Sequence, residues 1–109
     1  MLPGRVRWVL GVAAAAMLPG CGPVWSTSLI LDADVQLEAA RAADASKYAP
    51  YEYTLADAYL HKAREEQGYA DYDVCIRFAQ KALDNAKKAK DKSLARVKES
   101  GVSTQPNEP

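Results

Sequence analysis

A chain of 109 residues with 14 basic and 14 acidic side chains is long enough for one small domain and no more. A formal charge of zero gives nucleic acid no general hold on it. No paired cysteines suggest zinc, no glycine-rich stretch suggests a phosphate loop, and the single histidine has no nucleophile close by in sequence.

The first 20 residues read as an export signal. Arg5 and Arg7 precede an apolar run from Trp8 to Leu18, and no acidic residue occurs before Asp32. That run, closed by Pro19-Gly20, falls short of the roughly 20 apolar residues a spanning helix needs. Two endings fit it. One is an ordinary signal cut after the small residues Ala13 to Ala16. The other rests on Leu18-Pro19-Gly20-Cys21, which resembles the lipobox of bacterial lipoproteins. Leu18 holds the outer position, Gly20 precedes the cut, and Pro19 stands where the family carries a small residue. The resemblance implies that the Cys21 thiol takes a diacylglycerol, that residues 1–20 are removed, and that the new amino terminus is acylated. Gly22, in place of Asp, implies transfer to the outer membrane in enteric-type bacteria, with the protein facing the periplasm. Each buried methylene contributes about 0.8 kcal/mol, so two or three acyl chains make attachment effectively permanent. Trp25 suits either the headgroup level or a packing position at the start of the first helix.

Without residues 1–20 the chain has 89 residues and a net charge of −2. Acylated Cys21 would leave Cys75 as the only free thiol, so packing or a partner must supply stability to a domain of marginal size. Residues 21–27 are expected as a linker to the anchor. Residues 28–98 are expected as an all-α, antiparallel three-helix bundle, and 99–109 as a disordered tail. The first helix is expected over Ser28 to Ser46, capped by Ser26, Thr27 or Ser28. Pro50 opens the second, which runs to about Gln67 with Leu55, Ala56, Tyr59, Leu60 and Ala63 on one face. Gly68 is the expected stop and Asp71 the expected cap of the third. There Tyr72, Cys75, Ile76, Ala79, Ala82, Leu83, Ala86 and Ala89 recur at helical spacing, continued by Leu94 and Val97.

The segment from Ala56 to Ala82 resembles one tetratricopeptide unit, although a solenoid needs about three. A broader resemblance is to a family of alanine-rich helical envelope lipoproteins. It rests on Tyr-Ala-Pro-x-Glu at Tyr48 to Glu52, Gly-x-x-x-Tyr at Gly68 to Tyr72, and the long alanine helix, over about residues 30–95. Some relatives are fused to an OmpA-like peptidoglycan-binding module, which is not expected in this chain. The resemblance implies a fold and an envelope location, and no chemistry.

Candidate binding residues form two groups. Lys87, Lys88, Lys90, Lys92, Arg96 and Lys98 cluster at the end of the third helix. With about 40 Å of third helix against 27 Å of second, an unpaired overhang is expected to begin near Ala89. It would serve as an electrostatic tether to an acidic envelope polymer, or simply complement the helix dipole. Tyr51, Tyr59, Tyr69 and Tyr72 belong to a run of six tyrosines that either thickens an alanine core or lines a groove for a protein partner. Asp57, His61 and Glu65 sit four residues apart, a weak ligand set better read as a solvated row. The expectation is therefore a non-catalytic adaptor without metal or cofactor. Its partners would be the membrane through Cys21 and an envelope protein, not nucleic acid.

Overall fold

The computed structural model describes residues 21–101. Four helices occupy them: α1 (Cys21–Ala42), α2 (Ala45–Tyr48), α3 (Pro50–Gly68) and α4 (Tyr72–Glu99). No strand occurs among the described residues. The expected export signal and most of the expected tail lie outside them.

The chain is already helical at Cys21, well before Ser28, so the expected linker is part of helix α1. Pro23 favours this, because in the first turn its missing amide leaves no bond unmade and its fixed φ is already helical. The hydroxyls expected to cap the helix serve other ends. Ser26 is buried and donates to the Pro23 carbonyl at 3.0 Å. Thr27 accepts from Nε2 of Gln67 at 3.0 Å, tying α1 to the end of α3.

The first helix also stops earlier than Ser46. Asp44 adopts the left-handed conformation, with φ 57° and ψ 40°, which aspartate tolerates better than most residues. Its carbonyl then accepts from the amides of Lys47 and Tyr48 at 3.0 Å, forming the single turn of α2. Ala49 leaves helical geometry at φ −141°, as the residue before a proline must, and Pro50 opens α3. At the other end of α3 the left-handed residue is Ala70, with φ 61°, and not Gly68, which remains helical. Asp71 caps α4 as expected, its Oδ1 accepting from the Val74 amide at 3.3 Å.

The buried positions run Ser26, Ile30, Ala33, Leu37, Ala40 in α1; Ala56, Leu60, Ala63 in α3; and Cys75, Ala79, Ala82, Ala86, Ala89, Ser93 in α4. Steps of three and four alternate in each helix, the repeat of helices crossing at a shallow left-handed angle. Ser93 takes the core position expected of Leu94, which is 47% exposed. Helix α4 is central: α1 and α3 each lie along it and touch one another least. Gly22 beside Tyr72, and Lys90 Nζ donating to Gln36 Oε1 at 2.9 Å, set α1 parallel to α4. The pairs Thr27–Gln67, Arg64–Asp34 and Arg41–Tyr53 set α3 antiparallel to α1, and Lys92–Glu52 sets it antiparallel to α4.

Alanine dominates this core, and only Ile30, Leu37 and Leu60 are large aliphatic side chains within it. Small side chains allow close axial approach, so dispersion contacts between helix backbones supplement a modest buried area. A second small cluster joins Ala40, Ala45 and Ala49 to Ala89, with Tyr53 packed on it. The overhang expected from Ala89 is thereby shortened. Ala89 and Ser93 are both fully buried, and α4 emerges only beyond them.

Candidate functional site

Cys21 is exposed on the first turn of α1, at the end of the molecule that also holds the α3–α4 turn. A helical start changes its reach. Seven residues span about 10 Å as helix, against about 25 Å as extended chain. The thiol is thus held close to the bundle.

The surface around it is apolar. Val24 is 69% exposed, Trp25 56%, Leu31 58% and Val35 64%. Pro23, Val24, Thr27, Ser28 and Leu31 line a shallow trough there. Trp25 is therefore not a core residue. Tyr69, in the neighbouring turn, is 74% exposed.

The four candidate tyrosines do not form one face. Tyr51 is exposed at the start of α3 and Tyr69 lies just beyond its end, about 27 Å away by helical rise. Tyr59 is half-buried and stacks on Phe78, with ring centroids 6.0 Å apart and Lys81 Nζ 5.5 Å from its centre. Half-buried Tyr72 packs beside Gly22. Tyr51 belongs to a small exposed patch on the outer side of α3, with Pro50, Thr54, Leu55 and Ala58. That patch was missed because Leu55 reads by spacing as a core residue, whereas it is only half-buried.

The basic group divides as well. Lys90 donates to Gln36, and Lys92 Nζ lies 2.9 Å from Glu52 Oε1. Lys92 holds the Glu52 carboxyl below the usual carboxylate range, with a smaller contribution from Arg96. Oε2 of the same carboxylate is buried without a hydrogen-bond partner among the described residues. Lys87, Lys88, Arg96 and Lys98 are exposed; Lys87 and Lys88 lie midway along α4, near the level of Gln36, and only Arg96 and Lys98 reach the end far from Cys21.

Asp57, His61 and Glu65 do not converge, and no group of three metal-ligating side chains occurs among the described residues. Cys75 is fully buried, and that burial pushes its thiol up, opposed by the Ser26 hydroxyl. It is a core side chain with suppressed reactivity. No helix among the described residues is long and apolar enough to cross a membrane.

Comparison with known proteins gives one family. Residues 28–103 match the family described as "Domain of unknown function (DUF4398)". The chain belongs to that family. No curated protein and no solved structure gives a match. The match opens at Ser28, so the first turns of α1, with Cys21, Val24 and Trp25, precede the region shared with the family.

Proposed function

We propose that this member of the family is a lipid-anchored cell-envelope protein whose antiparallel bundle of three long helices serves as a non-catalytic adaptor. One observation carries the reading. Cys21 follows Leu18-Pro19-Gly20 directly and stands exposed on the first turn of the first helix, where an acyl group meets no steric obstacle. A leader with Arg5, Arg7 and a short apolar run supports export, and Gly22 supports an outer-membrane destination. The adaptor role is supported by the apolar patch on the outer side of α3, where Tyr51 is 72% exposed.

Expression of the whole chain in a Gram-negative host, followed by intact mass measurement, tests the anchor. The expected product has lost residues 1–20 and gained a diacylglyceryl group and an amide-linked acyl chain on Cys21. Cys21→Ser should abolish both changes and release the protein from the membrane fraction. A product with a bare Cys21 thiol would refute the reading. Crosslinking in cells from Ala58, with exposed Asp84 as control, tests the adaptor surface. Capture of one protein from Ala58 alone is expected, and equal capture from both positions would count against it.

A second reading, an electrostatic tether to an acidic envelope polymer, draws on the exposed Lys87, Lys88, Arg96 and Lys98 along the C-terminal half of α4. Retention on that polymer should fall steeply with salt, and charge reversal at these four positions should abolish it.

A further inference from the structure

We infer that the outward face of α1 lies on the surface of the bilayer that holds Cys21, with its first three turns seated at headgroup level. The inference rests on the proposal that Cys21 carries lipid.

Helix α1 has two apolar faces. One is the core face, Ser26, Ile30, Ala33, Leu37 and Ala40. On the opposite side Cys21, Val24, Ser28, Leu31 and Val35 succeed one another at steps of three and four, and every one is exposed. A helix places such residues in a single stripe, so the anchor thiol heads a row of outward aliphatic side chains. A face given wholly to water has no use for three large aliphatic residues in line.

The order of charge along α1 identifies what covers that stripe. From Cys21 to Leu31 there is no charged side chain, whereas Asp32, Asp34, Glu38 and Arg41 all follow. A second copy or a helical partner would cover the stripe along its whole length and be flanked by charge throughout. A bilayer that receives the N-terminal turns and leaves the later ones in water calls for the gradient observed. Aromatic placement agrees. Exposed Trp25 and Tyr69 stand at this same end, and both ring types favour the membrane–water boundary. No lysine or arginine of α1 lies between Cys21 and Ala40, Arg64 from α3 is paired with Asp34, and Asp32, Asp71 and Asp73 are exposed nearby. The surface therefore suits zwitterionic headgroups and gains nothing from anionic ones. The bundle would rest on the membrane along the start of α1, with the end of α4 carrying Arg96 and Lys98 turned outward.

Removal of residues 1–20 takes Trp8 with it and leaves Trp25 as the only tryptophan, a built-in depth probe. The mass-verified lipidated protein is placed in phosphatidylcholine vesicles with bromine at shallow or deep acyl positions. Trp25 emission should shift to shorter wavelength, and shallow bromines should quench it more than deep ones. Protection from aqueous iodide should be several-fold, with no change when a fifth of the lipid is anionic. Leu31→Asp, at an exposed position that leaves the core intact, should reverse most of that protection while the helical signal stays the same. Lipidated protein whose Trp25 stays open to iodide would overturn the docking and leave the anchor standing. Trp25 shielded from iodide but blind to bromine, in a concentration-dependent pair, would overturn it in favour of a second copy. A product without lipid would overturn both.

Discussion

Replacement of Leu60 by alanine is the sharpest test of the packing. Leu60 is the largest side chain among the fully buried residues, at 2% exposure. The change removes three carbons, worth about 2.4 kcal/mol at about 0.8 kcal/mol per methylene. A cavity term adds to this, and Leu→Ala changes in cores span about 2–5 kcal/mol according to how far the surroundings collapse. Here the same cluster includes Ala33, Ala56, Ala63, Ala79 and Ala82. An alanine methyl cannot reach into a void without movement of its backbone, so the void persists and the expected loss is about 3–4 kcal/mol. At about 0.05–0.15 kcal/mol per residue, some 80 ordered residues give a total stability of about 4–12 kcal/mol. The single substitution should therefore remove about a quarter or more of it. Urea titration followed by circular dichroism at 222 nm measures the difference. Leu94→Ala, at a 47% exposed position, serves as control and should cost under about 1 kcal/mol. A loss below about 1 kcal/mol for Leu60→Ala, or equal losses for the two variants, would show that the alanine core adapts and would refute the argument.

Four further outcomes are expected. The Cys75 thiol should resist alkylation in the folded protein at pH 8 and react fully in urea, measured by mass, because it is buried and held protonated. The Glu52 carboxyl is held below its ordinary range by Lys92, so its stabilising contribution is present above the unfolded carboxylate pKa and is lost as pH falls through the lowered folded value. Lys92→Gln should accordingly be less stable than the parent at pH 7, and the difference should shrink steadily as the carboxylates become protonated, in paired urea titrations. At the α3–α4 turn, Ala70→Gly should raise thermal stability by up to about 1 kcal/mol, by relieving a left-handed φ of 61°. Gly68→Ala should do the same, since Gly68 is helical with nothing within 4 Å of an added methyl.

Local sequence signals determined much of this protein. The start of α3 at Pro50, the cap at Asp71 and the alanine stripe of α4 were legible because proline geometry, an aspartate side chain and helical periodicity act within a few residues. The proposed anchor motif at Cys21 is local in the same way. Its setting is not. That the residues from Cys21 to Thr27 are helical depends on Ser26 facing Cys75 and on Gln67 reaching Thr27 from another helix, contacts that no local pattern contains. The cover that α2 places over Ala89 and the diversion of Lys90 and Lys92 to partners on α1 and α3 likewise join residues far apart in the chain. Periodicity named one face of each helix. Only the tertiary structure decided which apolar residues stayed outside, because burial is a property of two surfaces meeting and a sequence displays one at a time.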